Sequence, residues 1–90
     1  MPLTAKKVTI NDTATLIHKA ISNGCHIHIY SASGGQDVTL GPITVTSTNG
    51  LIISSSKTTD VDIQLPPGDS LYGICASGQT HTLYVLIVEF

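Results

Sequence analysis

The sequence has no tryptophan, one phenylalanine and no arginine, and its four basic residues are all lysines. Each shortage removes a class of function. Nucleic-acid binding needs clustered cations that displace counterions from phosphates. Here charged residues make up 11%, the net charge is -2, and only Lys6 and Lys7 are adjacent, so no nucleic-acid partner is expected. Tyr30, Tyr72, Tyr84 and Phe90 are too few and too scattered to form an aromatic platform for sugars. Apolar runs are short. None reaches the roughly 18 residues of a membrane-crossing helix, so no membrane partner is expected. The start, MPLTAKKVTIND, lacks the apolar core and cleavage site of a signal peptide, and the expected place of synthesis is a cytosol. Two cysteines, Cys25 and Cys75, are too few for a disulfide scaffold and are expected to be reduced and buried.

What is present suits a small β-domain. With 90 residues the chain makes one domain with a thin core. Serine and threonine are abundant, roughly a quarter of the chain, beside Val, Ile and Leu, a mixture that fits half-buried pleated surfaces. Turn signals recur about every 8 to 12 residues, the spacing of sandwiches and barrels. HIHIYS places Ile27 and Ile29 on one face and His26, His28 and Tyr30 on the other. DVTLG buries Val38 and Leu40. PITVTS places Ile43 and Val45 inside, and TNG then marks a hairpin answered by LII. VDIQL turns Val61, Ile63 and Leu65 inward. TLYVLIVEF is almost continuously apolar, which predicts cover on both faces. Residues 11–24 fit a short helix, with Leu16, Ile17, Ala20 and Ile21 at helical spacing, or a strand followed by a turn. The β-branched Thr13, Thr15 and Ile17 favour the strand. The prediction is a single antiparallel β-sandwich or jelly roll of about seven or eight strands over residues 8–90. Residues 1–7, with no strand pattern before Val8, are expected to form a mobile arm.

No constellation in the sequence argues for catalysis, and the expectation is a protein that is not an enzyme. Segment 65–78, LPPGDSLYGICASG, resembles at first sight a reactive elbow around Cys75. A nucleophilic thiol needs a lowered pKa and a base within reach, whereas Cys75 sits between Ile74 and Ala76 in an apolar strand. The better reading is a strand end, a Gly-Asp reversal after two prolines that cannot donate to a ladder, and a returning strand. SASGGQD opens no helix and lacks the Lys-Ser/Thr of a phosphate loop. GDS lacks the glycine of a nucleophile elbow. His26 and His28 share a strand face about 7 Å apart. They would hold a metal only with a third ligand from His81 or an aspartate, and polar surface residues are the commoner case. No cofactor and no metal are assigned.

The string VTI…TATLI, HIHIY, DVTLG, VTSTNGLII, PPG with an acid, LYGICASG and TLYVLIVEF resembles small tailed-bacteriophage virion β-proteins. The closest resemblance is to capsid decoration, or cement, proteins, across residues 8–90. LIHKAISNGCH departs from that pattern. The resemblance implies a structural virion protein, made in the host cytoplasm, that binds the major capsid protein on the outer face of a phage head as a homotrimer and stabilises it. The alternatives are a tail, neck or head-fibre component, or a free-standing ligand-binding β-domain. Under this reading Leu3, Lys6 and Lys7 in the arm, and Tyr84, Leu86 and Phe90 in the last strand, are the candidate capsid or subunit contacts. The last strand has more apolar side chains than one thin core absorbs.

Overall fold

A computed structural model describes residues 3–21, 23–32, 34–54, 56 and 58–90. Eight strands follow one another: β1 (Leu3–Ile10), β2 (Thr15–Lys19), β3 (Cys25–Ser31), β4 (Val38–Gly41), β5 (Leu51–Ile53), β6 (Thr59–Leu65), β7 (Ser70–Ile74) and β8 (His81–Glu89). They form two four-stranded antiparallel sheets, in the orders β1-β8-β3-β6 and β2-β7-β4-β5. We call these sheets A and B. Every connection except β4 to β5 crosses from one sheet to the other, which is the jelly-roll form of the expected sandwich.

Side-chain alternation holds the sheets together. In sheet A, Cys25, Ile27 and Ile29 of β3 and Leu83, Val85 and Ile87 of β8 point inward and are buried. Sheet B answers with Ile17, Val38, Leu40, Ile53 and Leu71. Burying each such side chain contributes about 1.5–3 kcal/mol, which offsets the ordering of a chain this short.

Four expectations need correction. Residues 3–7 are not an arm: they belong to β1 and pair along β8 from Leu3 opposite Val88 to Lys7 opposite Tyr84. Both faces of this stretch are exposed, so backbone pairing alone fixes it and no apolar alternation marks it. Met1 and Pro2 lie outside the described residues. Segment 42–47 is not a strand. It belongs to a loop over the outer side of β4, where Thr39 donates from Oγ1 to the Ser47 carbonyl at 3.1 Å. Val45 is buried there, while Ile43 is 67% exposed. The expected Asn49 hairpin shrinks to an isolated bridge between Thr46 and Asn49, and β5 pairs with β4 instead. Finally, β8 is covered on one face only, because Tyr84 and Leu86 stay half exposed on the other.

Segment 11–24 carries the strand of the two forms considered. The Asn11 Oδ1 accepts from the Thr13 amide at 2.9 Å and opens the chain into β2. A helix would have buried Leu16, Ile17, Ala20 and Ile21 together; instead Ile17 and Ala20 are buried and Leu16 and Ile21 are exposed. The ladder with β7 slips between Leu16 and His18, a bulge that aims His18 toward the sandwich interior.

Candidate functional site

The outer face of sheet A gathers most of the chemistry that faces solvent. Register places Leu3, Ala5 and Lys7 of β1 beside Val88, Leu86 and Tyr84 of β8. His26, His28 and Tyr30 of β3 follow on the other side of β8, and Gln64, Asp62 and Asp60 of β6 close the sheet. One half of the face is therefore apolar and the other titratable. Tyr30 and Tyr84 tilt against each other at 51° with centroids 6.2 Å apart. With Ala5, Lys6, His28 and Leu86 they line a shallow groove of about 430 Å³.

The titratable half is a ladder of imidazoles and carboxylates. Asp62 Oδ1 stands 3.1 Å from His26 Nε2 and 2.7 Å from His28 Nδ1, and Asp60 Oδ1 stands 3.1 Å from His28 Nε2. Both ring nitrogens of His28 face carboxylates, so its doubly protonated form is favoured. Hydrogen bonding to Asp62, then to Asp60, raises its pKa, and His28, then His26, lowers that of Asp62. The aspartate that the His-x-His pair required is thus Asp62, but it serves as a hydrogen-bond acceptor between two exposed rings.

The sequence-derived contact residues separate into two groups. Leu3, Lys6 and Lys7 lie along β1, which is the edge of sheet A, and are exposed. Tyr84 and Leu86 lie one strand further in, on the outer face. Phe90 follows β8, with its amide held by the Gly24 carbonyl at 3.0 Å, and is 41% exposed.

Two arrangements that resemble nucleophile and base are structural. Cys75 is buried and donates from its thiol toward the Ile10 carbonyl at 3.6 Å. Desolvation, and then the charge of Asp12, raise its pKa, the opposite of activation. Ser31 Oγ lies 2.9 Å from His81 Nε2, but His81 Nδ1 accepts the Gln36 amide at 3.3 Å. Neutral His81 therefore carries its proton on Nε2 and donates to Ser31, so it cannot act as the base for that hydroxyl. Its ring also pins the glycine loop: a Cβ at Gly35 would fall 1.9 Å from Nδ1.

A third cluster went unseen in the sequence. His18 of β2, Cys25 of β3 and Glu89 of β8 meet inside one end of the sandwich, their donor atoms all within 4.8 Å of one another. His18 Nε2 contacts Glu89 Oε1 directly. The signal was available in β8, where Leu83, Val85, Ile87 and Glu89 share the inward face, so the carboxylate occupies a core position.

No protein-family model matches the chain, and no curated protein matches it. Among solved structures the fold is similar to a chain from Bacillus endospore appendages, described as a novel family of disulfide-linked pili. The identity is 15% and the TM-score 0.55, over 96% of this chain and 82% of that one. At this identity the likeness is one of fold. It is a likeness to a structural subunit, and not to a virion protein, and it corrects the phage reading. The capsid-cement function and its alternatives, the major capsid protein as partner, the homotrimer and the place on the outer face of a phage head all give way to it. The physical reason is that the segments carrying the resemblance are generic. A PPG-acid reversal, a returning strand and an apolar last strand are what any small jelly roll needs to pass between its sheets.

Proposed function

We propose that this chain is a structural subunit that associates with its own copies into a filament, with a mechanical and not a catalytic role. One observation carries the reading: among the described residues, the two edge strands of sheet A have no further strand beside them and are opposite in charge. Edge β1 bears Lys6 and Lys7, and edge β6 bears Asp60 and Asp62. Four antiparallel strands leave the two edges running in opposite directions. A second copy in the same orientation would therefore set its β1 antiparallel to β6 of the first and continue the sheet. The two contacting surfaces differ, so the contact is head-to-tail and propagates instead of closing. Unprotected edges are the usual template for such growth. Leu3, Lys6 and Lys7 would lie in the edge contact, and Tyr84, Leu86 and Phe90 beside it. The fold likeness to an endospore-appendage pilus subunit supports the same role, and an appendage of that kind would place the chain outside the cell. Cys25 and Cys75 are buried, so edge pairing between copies would not use disulfides from these two residues.

Charge reversal tests the proposal. A Lys6→Asp, Lys7→Asp chain has two acidic edges, and an Asp60→Lys, Asp62→Lys chain has two basic ones. Each alone should stay unassembled in electron micrographs, while their mixture should form filaments. Wild-type protein should form them unaided, with a subunit repeat near four strand spacings, about 19 Å. Monomers at every concentration, or variants that assemble as well as wild type, would overturn the reading.

A further inference from the structure

We propose that His18 Nε2, Cys25 Sγ and a carboxylate oxygen of Glu89 form a binding site for a zinc-class divalent cation, which ties sheet A to sheet B at the end of the sandwich. Three observations converge. The first is placement. Cys25 and Glu89 face each other across the β3–β8 ladder of sheet A, and the β2 bulge brings His18 to them from sheet B. The three donor atoms lie within 4.8 Å of one another. Around a tetrahedral zinc, donors stand about 3.3–3.6 Å apart, so small side-chain rotations close the shell.

The second observation is an unanswered polar atom. Glu89 is 7% exposed, and its Oε2 is buried with no hydrogen-bond partner among the described residues. Buried carboxylate oxygens are ordinarily paired or bound to metal. The third is charge. A divalent cation with one thiolate, one carboxylate and one neutral imidazole sums to zero, which suits a site with little access to water. The set of one sulfur, one nitrogen and one oxygen donor suits zinc rather than magnesium or calcium. On binding, the Cys25 S–H bond breaks, the proton leaves to solvent, and a sulfur–metal bond forms. The His18 side chain is 19% exposed, which leaves its side of the site for a water as the fourth ligand.

Cobalt(II) reads the site out directly. Metal-free protein titrated with Co2+ should develop the visible bands of a tetrahedral ion and a thiolate-to-metal charge-transfer band, saturating at one ion per chain, and Zn2+ should erase both. Cys25→Ser should remove the charge-transfer band, and Glu89→Gln and His18→Gln should each weaken binding at least tenfold. Cys75→Ala and His28→Gln should leave the spectrum intact. Should the site variants fail to fold, wild type alone still decides. Free zinc at a hundredfold over its Kd should lower the unfolding equilibrium constant about a hundredfold, and X-ray absorption should show one sulfur neighbour. A tetrahedral spectrum that survives Cys25→Ser but is lost in His28→Gln would move the metal to the outer face and overturn the proposal. So would the absence of any sulfur-ligated spectrum in wild type, which would leave His18 and Glu89 as an ion pair.

Discussion

His28 is held between two acceptors, and its protonation is therefore linked to stability. Asp62, and then Asp60, raise its pKa above the ordinary 6.5, so the native chain holds this proton more tightly than the unfolded one. The stabilisation is complete below pH 6.5 and is lost as pH rises through the raised value. Asp62 behaves oppositely. Its pKa lies below the ordinary 3.8, so its contribution is present above that pH and is lost as pH falls through the lowered value. Both contributions act together between 3.8 and 6.5. Exposure to solvent keeps the effect small. Wild-type urea midpoints should decline as pH rises above 6.5 through the raised value, and His28→Gln should flatten that decline. Equal slopes in the two proteins would remove the His28 assignment. Gly24 carries a second single-residue expectation. Its φ is +81°, and a Cβ there would fall 2.5 Å from the Leu65 carbonyl oxygen. Gly24→Ala should therefore cost about 1–3 kcal/mol in denaturant unfolding, and a neutral result would mean that the turn relaxes.

Strand β8 shows how far neighbouring residues of one element differ. Ile87 is fully buried between the sheets, and Leu86, next to it, is 43% exposed. Ile87→Ala should cost about 2–5 kcal/mol, whereas Leu86→Ala should stay within about 0.5 kcal/mol. If the outer face of sheet A takes part in assembly, Leu86→Ala should nevertheless raise the concentration at which filaments appear. Thermal melts separate the two effects from pelleting assays: equal destabilisation would place Leu86 in the core, and unaltered pelleting would free it from the interface. Strand β2 makes a related point. Its five residues bury little, yet the bulge after Leu16 decides whether His18 faces solvent or Glu89.

At the scale of the whole molecule, the jelly-roll order makes the first and last strands neighbours in one sheet, so the fold depends on pairing between distant parts of the chain. Such topologies fold slowly, in about milliseconds to seconds. The same order leaves β1 and β6 as the open edges of sheet A. Assembly through the exposed lysines and aspartates of those edges should weaken as salt rises, because the Debye length falls from about 10 Å at 0.1 M to about 3 Å at 1 M. Filaments held by this contact should also withstand thiol reductants, since Cys25 and Cys75 are buried. Sedimentation across a salt series, with and without reductant, checks both. Filaments that dissolve on reduction, or that strengthen with salt, would point to a different contact.

Alternation by itself determined the class of this protein. Ile27 against His28, and Ile63 between Asp62 and Gln64, place side chains on opposite faces because a strand's period is two, whatever its partners. The same logic placed Cys75 in the core and removed it as a nucleophile. Pairing was not legible, because hydrogen bonds between backbones carry no side-chain signature. Residues 3–7 look like an arm and are a strand, and Ile43 looks like core and lies in a loop. Nor could local pattern separate a virion protein from any other small jelly roll, since the PPG reversal and the apolar last strand serve them all. Only the tertiary structure decided which strands are edges, and so that lysines lie along one edge of sheet A and aspartates along the other. Only it joined His18, Cys25 and Glu89, which lie on three strands of two sheets. Proximity across a sandwich is a property of strand order and of one bulge, and neither is written in the spacing of the residues themselves.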